Sequence, residues 1–249
     1  MTRDENAARQ RRLAASRDEV RRLVAQPISE VTPSRRDFAQ YVATQRTELA
    51  VLARLARPTM SDRGALIDHA RACDDAEVAA LAVVTEPDGL TVDDMAGVAA
   101  AVTAPVLCDA PTIDSSQLYH ARLHGADAAV YPAGVLDDAT LHDLVAVASS
   151  LHMASVIEVL TMADLPRALA LAHVIVGLRC QHADGSLDLE RTRVLAQRVP
   201  LERTVIVLPE AATLAQCSAA RGVCDAVVVG ELLCAAPDLG VCVRQISCA

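Results

Sequence analysis

The stretch His124-Gly-Ala-Asp-Ala-Ala-Val-Tyr131 contains the pattern from which the fold of this chain can be predicted. A glycine and an aspartate interrupt the chain, and a short apolar run follows them. The same order recurs at Arg221-Gly-Val-Cys-Asp-Ala-Val-Val-Val229. Continuous apolar runs are typical of strands that are buried on both faces, and glycine often marks the turn before a strand. We therefore predict buried strands at 128–131 and 226–229.

Further apolar runs occur on either side of these two, separated by amphipathic stretches of helical length. They are Leu81–Val84, Pro105–Leu107, Ser155–Val159, Val174–Leu178 and Thr204–Leu208, with one more around Glu48–Leu55. Helix-length spacers imply parallel crossover connections, and eight such units favour a closed (β/α)8 TIM barrel over an open doubly wound sheet. The glycine-rich patterns GxGxxG and GxxxxGK do not occur in the sequence, which argues against Rossmann and P-loop folds.

The N-terminal quarter of the chain has a different charge balance from the rest. Residues 1–63 contain 13 arginines and 8 acidic residues, whereas residues 64–249 contain 10 arginines and 24 acidic residues. Residues 4–25 are predicted to form a polar helix with Leu13, Val20 and Val24 on one stripe. We predict an N-terminal helical extension over residues 1–47, lying across a barrel of residues 48–249. The basic segment is interpreted as a solvated helix; the alternative is an arm that binds an acidic partner or packs on its own barrel.

The composition excludes several classes of function. All 23 basic residues are arginine, and a guanidinium does not release its proton near neutral pH. Mechanisms that need a lysine acid, base or Schiff base are therefore excluded. The chain has three tyrosines, one phenylalanine and no tryptophan, and its formal charge of −9 argues, together with this scarcity of aromatic rings, against nucleic-acid binding.

Cysteine spacing and hydropathy indicate in which compartment of the cell the protein is expected. The eight cysteines form no CxxC pair and no Cys/His cluster, so we expect free thiols and no metal site. The N-terminus is charged, and no apolar run reaches the roughly 18 residues that a membrane span needs. We expect a cytoplasmic protein that has no membrane partner and no cofactor.

Taken in order, the segments at the predicted strand ends resemble the indole-3-glycerol-phosphate synthase family over roughly residues 34–240. The resemblance is most specific in Leu81–Pro87, Pro105–Leu107, His124–Ala128, Val156–Val159 and Asp225–Glu231. It implies a TIM barrel whose active site lies at the carboxyl ends of the strands. It also implies a carboxylated and phosphorylated substrate, an anthranilate-linked ribulose phosphate, which the family closes to an indole ring with loss of CO2 and water.

Several positions depart from the family pattern. Where the family has Glu-x-Lys-x-x-Ser-Pro-Ser, this chain has Arg54-Leu-Ala-Arg-Pro-Thr-Met-Ser61. The family's Lys-Asp-Phe is matched by Asp109-Ala-Pro111, and its Asn-x-Arg by Arg179-Cys-Gln181. Both catalytic lysines, and the phenylalanine that would hold the anthranilate ring, are therefore replaced.

Other positions of the family pattern are kept. Glu158 follows the fifth strand, Glu210 the seventh and Gly230-Glu231 the eighth, while the family's Glu-Ser-Gly phosphate turn reads Glu210-Ala-Ala212. The candidate catalytic residues are Glu158, Glu210 and Asp109. The candidate substrate- or phosphate-binding residues are Arg54, Ser61, Arg179, Ala211, Gly230 and Glu231. Glu158 is interpreted either as a base or as an inherited acid paired with Arg54 or Arg179.

Three hypotheses about function follow from the resemblance and these replacements. The first is a member of the family that is impaired in or lacks the ring closure, and that binds a phosphorylated or carboxylated small molecule or acts through a protein partner or a second copy of itself. The second is a working lyase or isomerase that uses Glu158, Asp109 and Glu210. The third is retained synthase activity. A positioned general acid contributes about 10²–10⁴-fold to a rate, so the loss of both lysines favours the first hypothesis.

Overall fold

Eight parallel strands close into a barrel in chain order in the computed structural model, which describes residues 3–24, 30–43, 48–57, 62–86 and 89–248. The strands are β1 (Ala50–Leu55), β2 (Ala80–Val83), β3 (Val106–Pro111), β4 (Ala128–Pro132), β5 (Ala154–Val159), β6 (Val174–Leu178), β7 (Val205–Glu210) and β8 (Ala226–Val229). β8 pairs with β1 and completes the ring. The predicted (β/α)8 TIM barrel is confirmed, because each predicted apolar run falls on a strand.

Helices alternate with the strands and cover the outside of the barrel. They are α1 (Arg3–Leu23), α2 (Phe38–Ala43), α3 (Arg63–Asp75), α4 (Val92–Ala101), α5 (Ser115–Leu123), α6 (Asp138–Ser150), α7 (Leu165–Leu169), α8 (Leu189–Ala196), α9 (Leu214–Ala220), α10 (Glu231–Cys234) and α11 (Leu239–Cys248). Most begin at an aspartate or threonine that accepts a hydrogen bond from a backbone N–H of the first turn, as Asp137 does from Thr140. None of the helices in the described part of the chain is long and apolar enough to cross a membrane.

Apolar side chains form two separate clusters, one inside the barrel and one between the strands and the helices. Alternate residues of a strand point to opposite sides, so Leu52 of β1 belongs to the inner cluster and Val51 to the outer one. Phe38 and Val42 of α2 are buried in the inner cluster. Helix α2 therefore closes the amino-terminal end of the barrel, although it precedes β1 in the chain.

The N-terminal helix α1 lies against the opposite end of the barrel. The hydroxyl of Ser16 donates a 2.7 Å hydrogen bond to the carbonyl of Pro111, the last residue of β3. Leu13 and Ser16 are buried, but Val24, which we predicted on the same stripe as Leu13, is 67% exposed. Helix α1 therefore contacts the barrel through polar groups as well as apolar ones.

Two strands change register where they carry a carboxylate. The pairing of β3 with β4 shifts between Cys108 and Pro111, and that of β7 with β8 shifts between Val207 and Glu210. Such irregularities re-aim side chains and are common beside functional sites. The shifts occur at Asp109 and Glu210, and both residues lie at the carboxyl-terminal mouth of the barrel.

Candidate functional site

Three charged residues predicted for the site meet at the mouth of the barrel. Asp109 lies on β3, Glu158 on β5 and Arg179 immediately after β6. The guanidinium of Arg179 donates from Nε to Glu158 Oε2 and from Nη2 to Asp109 Oδ1. The side chain of Arg179 is 10% exposed, that of Glu158 5% and that of Asp109 4%. These ion pairs are therefore largely buried.

A fourth member of this cluster comes from the N-terminal helix. Arg12 Nη2 donates to the carbonyl oxygen of Asp109 at 2.8 Å and to its Oδ1 at 3.2 Å. The Nε of Arg12 lies 3.7 Å from Glu86 Oε1 in an ion pair. Asp109 is therefore held between two guanidiniums. Nothing in the sequence pattern placed Arg12 in the site; the only available signal was the basic character of the extension.

The electrostatics of the cluster fix its protonation state. Burial acts to raise the pKa of Asp109, but the Arg179 and Arg12 guanidiniums outweigh it and hold that pKa below its usual value. Burial would lower the pKa of Arg179, whereas Asp109 and Glu158 raise it above its usual value. Asp109 is consequently a carboxylate and Arg179 a cation near neutral pH. Neither is poised to exchange a proton there, as an efficient acid or base would be.

A second ion pair lies on the other side of the mouth. Arg54 Nη1 is 3.3 Å from Glu210 Oε2, and the two side chains are 32% and 19% exposed. Glu210 Oε1 also accepts hydrogen bonds from the backbone N–H of Gly230, at 3.0 Å, and of Glu231. A Cβ at Gly230 would lie 2.8 Å from Glu210 Oε1, so glycine is needed for this close approach. A carboxylate of the chain itself thus occupies the first N–H groups of α10.

The remaining predicted positions are less informative. Ala211 is buried, and its N–H donates to the carbonyl of Val228 at 2.9 Å. Ser61 lies outside the described residues. Burial raises the pKa of the Cys108 thiol to about 12, so the thiol is protonated and unreactive near neutral pH. In the described ranges, no three His, Cys, Asp or Glu side chains are arranged to hold a metal ion.

Two cavities adjoin α1 at the mouth. The larger, of about 640 Å³, lies between α1 and the segments that follow β2 and β3, and Glu19, Glu86 and Arg22 are among its lining residues. The smaller, of about 320 Å³, reaches Glu158 and Arg179. We call the smaller one the arginine cavity, because Arg9, Arg11, Arg12, Arg179 and Arg191 line it.

Comparison with known families decides where this barrel belongs. The family model for indole-3-glycerol phosphate synthase matches residues 5–246. The chain belongs to the indole-3-glycerol phosphate synthase family. The resemblance proposed from the sequence is therefore confirmed at the level of the family.

Two relatives show how the match extends. The tryptophan biosynthesis protein TrpCF of Yersinia pestis is 32% identical over 237 residues, which cover 90% of this chain but 49% of that protein. The chain thus spans about half the length of that relative. The indole-3-glycerol phosphate synthase of Lactiplantibacillus plantarum is 29% identical, and the match covers 92% of this chain and 90% of that enzyme.

Solved structures agree on the fold. A 3-hexulose-6-phosphate synthase from Salmonella typhimurium superposes with a TM-score of 0.62 at 19% identity, covering 80% of this chain and 96% of that chain. A tryptophan synthase from M. tuberculosis gives a TM-score of 0.60 at 16% identity, covering 86% of this chain and 97% of that chain. At these identities the likeness concerns the barrel alone.

Proposed function

We propose that this chain is a binding member of the indole-3-glycerol phosphate synthase family that holds a small anionic molecule at the barrel mouth and does not close the indole ring. One observation carries the proposal: in a chain without lysine, Arg179 is buried between Asp109 and Glu158. The two carboxylates that could act as acid and base are engaged by a permanent cation.

The chemistry of ring closure explains why this matters. The reaction needs a group that delivers a proton to the substrate carbonyl, and the family pattern has a lysine where this chain has Asp109. The lowered pKa of Asp109 leaves it without a proton to give. A missing general acid costs about 10²–10⁴-fold in rate, and a missing donor to a developing oxyanion about 10²–10³-fold. Arginine supplies charge but no proton relay.

The phosphate seat expected at Gly230 and Glu231 supports the same proposal. Their N–H groups donate to Glu210, so a substrate phosphate would have to displace this carboxylate first. Arg54 stabilises Glu210 from the other side. We propose that Glu210 takes the place of a phosphate in this barrel.

The direct test is an assay with the anthranilate-linked ribulose phosphate, following indole fluorescence, with the Lactiplantibacillus plantarum synthase as positive control. We expect no turnover above the uncatalysed rate. Turnover within about 10²-fold of a median enzyme rate of about 10 per second would overturn the proposal. Such turnover would also make the chain an enzyme of tryptophan biosynthesis, the pathway in the name of its Yersinia pestis relative.

One observation favours a second candidate, a lyase or isomerase that uses Glu158 with Asp109 or Glu210. Glu158 lines the arginine cavity, so its carboxylate can reach a bound ligand. Glu158→Gln keeps the shape of the side chain and removes the base. If the wild type turns over any carboxylated or phosphorylated substrate and Glu158→Gln loses that activity at least about 10²-fold, this second candidate replaces the first.

A further inference from the structure

The arginine cavity combines a high density of positive charge with hydrogen-bond donors that lack acceptors. Among its lining residues are five arginines and two carboxylates, Glu158 and Asp184. It is bounded by α1 on one side, and by the end of β5 and the loop after β6 on the other. Its volume of about 320 Å³ lies at the lower end of the range for small-molecule sites.

Arg9 is the residue that most needs a ligand. Its Nε and Nη2 atoms are buried and have no hydrogen-bond partner among the described residues. The nearby Asp164 carboxylate makes no hydrogen bond to these atoms, and its Oδ2 accepts from the N–H groups of Leu160 and Thr161. Buried polar atoms of native proteins nearly always have partners, so a guanidinium that lines a cavity and has two orphaned nitrogens gains by turning toward an acceptor there.

Arg12 gives a second, independent sign. Its Nε is also buried without a hydrogen bond in the described part of the chain, although Glu86 lies 3.7 Å away. Arg9 and Arg12 are three residues apart on α1 and therefore lie on one face of the helix. Both guanidiniums line the arginine cavity.

The larger cavity does not make the same demand. Its arginines, Arg11, Arg12 and Arg22, are accompanied by Glu19 and Glu86. Glu19 in turn accepts from Gln117 at 2.7 Å and lies 3.6 Å from His120. The three arginines face two carboxylates that already have partners within this cavity, so we assign no ligand to it.

We infer that the arginine cavity binds a small polycarboxylate, with Arg9 and Arg12 as its principal donors. The inference rests on the proposed function, whose ligand site it names. Guanidinium forks pair with planar carboxylates through two parallel hydrogen bonds. Helix N-termini also bind phosphate, and the one at the mouth that the family pattern would use, that of α10, is filled by Glu210.

Citrate is the probe for this site, titrated calorimetrically into the whole chain in low-salt buffer. We expect saturable binding to the wild type and at least tenfold weaker binding to Arg9→Gln, which removes the charge but keeps the length of the side chain. The matched control is Arg21→Gln on the same helix, because Arg21 is exposed and paired with Asp18. Its affinity for citrate should equal that of the wild type.

The outcomes separate the hypotheses. The inference is overturned by an absence of binding at about 10 mM citrate, by equal losses in Arg9→Gln and Arg21→Gln, or by inorganic phosphate that binds as tightly as citrate. Should Arg9→Gln not fold, Arg11→Gln on the same cavity wall carries the test with the same expected direction. The ring-closure assay is read separately: turnover there contradicts the proposed function, whereas failed citrate binding without turnover contradicts this site alone.

Discussion

Two buried aspartates, at opposite ends of the barrel, are each held between two arginines. The pairs are Arg12 and Arg179 for Asp109 at the mouth, and Arg36 and Arg122 for Asp127 at the amino-terminal end. In each case one arginine comes from the residues before β1 and the other from the barrel. The N-terminal segment is therefore fastened to both ends of the barrel by the same kind of contact.

What surrounds the two aspartates differs. Asp127 also accepts hydrogen bonds from the Val106 N–H at 2.9 Å and the Ser34 hydroxyl at 2.6 Å, and it lines neither of the two cavities. The other N–H groups of Arg36 donate to backbone carbonyls, including that of Gly125 at 3.0 Å. At the mouth, by contrast, both arginines of Asp109 line the arginine cavity. The same pairing cross-links the chain at one end and lines a cavity at the other, in keeping with the location of active sites at the carboxyl ends of TIM-barrel strands.

The largest effect should come from Asp127→Asn. This change leaves Arg36 and Arg122 buried without a counter-charge, and breaking a buried pair in this way costs about 3–5 kcal/mol. Urea unfolding followed by circular dichroism measures the free energy of unfolding. Citrate affinity should not change, since Asp127 is remote from the cavity lining.

Asp18→Asn is the control for Asp127→Asn. Asp18 pairs with Arg21 on the surface of α1, where such pairs contribute about 0–1 kcal/mol. If Asp127→Asn lowers the free energy of unfolding no more than Asp18→Asn does, the ion pairs of Asp127 do not hold the N-terminal segment to the barrel.

At the mouth, Asp109→Asn should cost less stability, about 1–3 kcal/mol, because Arg179 keeps its pair with Glu158 and Arg12 keeps its pair with Glu86. The same change removes a negative charge beside Arg12 and Arg179, so citrate should bind several-fold more tightly. Calorimetry and urea unfolding on one preparation measure both quantities. A loss of citrate binding in a folded Asp109→Asn variant would show that the two ends do not differ as described.

The barrel could be predicted from the sequence more fully than the site could. The apolar runs of β3 and β7 were predicted to end at Leu107 and Leu208, but the strands continue to Pro111 and Glu210. Parallel pairing resumes beyond the register shifts there, although Asp109 and Pro209 break the apolar pattern. Asp109 and Glu210 lie on these extensions, so hydropathy predicted the barrel but not how its strands end at the mouth.

The contacts of the N-terminal helix could not be read from the sequence. Arg12 and Asp109 are 97 residues apart, and their contact depends on how α1 lies on the finished barrel. Apolar periodicity is a poor guide to this position, because Val24 is exposed while Ser16 is buried. The sequence offered two partners for Glu158, Arg179 and Arg54. In the structure Glu158 pairs with Arg179, whereas Arg54 pairs with Glu210.

Acid should weaken the contribution of Asp109. A folded-state pKa below that of the unfolded chain gives stability that is present above the unfolded value, about 3.9, and lost as the pH falls through the folded value. The wild type should therefore exceed Asp109→Asn in unfolding free energy at neutral pH, and this margin should shrink below about pH 4. Urea midpoints of both proteins across this range measure it. A margin that stays constant or grows in acid contradicts the ion pairing of Asp109.

The smallest effect should come from Arg54→Gln, which tests whether every ion pair at the mouth behaves like that of Asp109. Arg54 is about one-third exposed, and Glu210 keeps the N–H donors of Gly230 and Glu231 when the guanidinium is removed. A half-exposed pair of this kind contributes about 0–1 kcal/mol, so unfolding in urea should barely change. Citrate binding should also be unchanged, because Arg54 does not line the arginine cavity. A cost above about 2 kcal/mol would mean that the charge of Arg54, rather than the backbone of α10, holds Glu210 in place. The mouth would then contain two structural ion-pair clusters, and only the lining of the arginine cavity would set the binding side apart from the rest of the barrel.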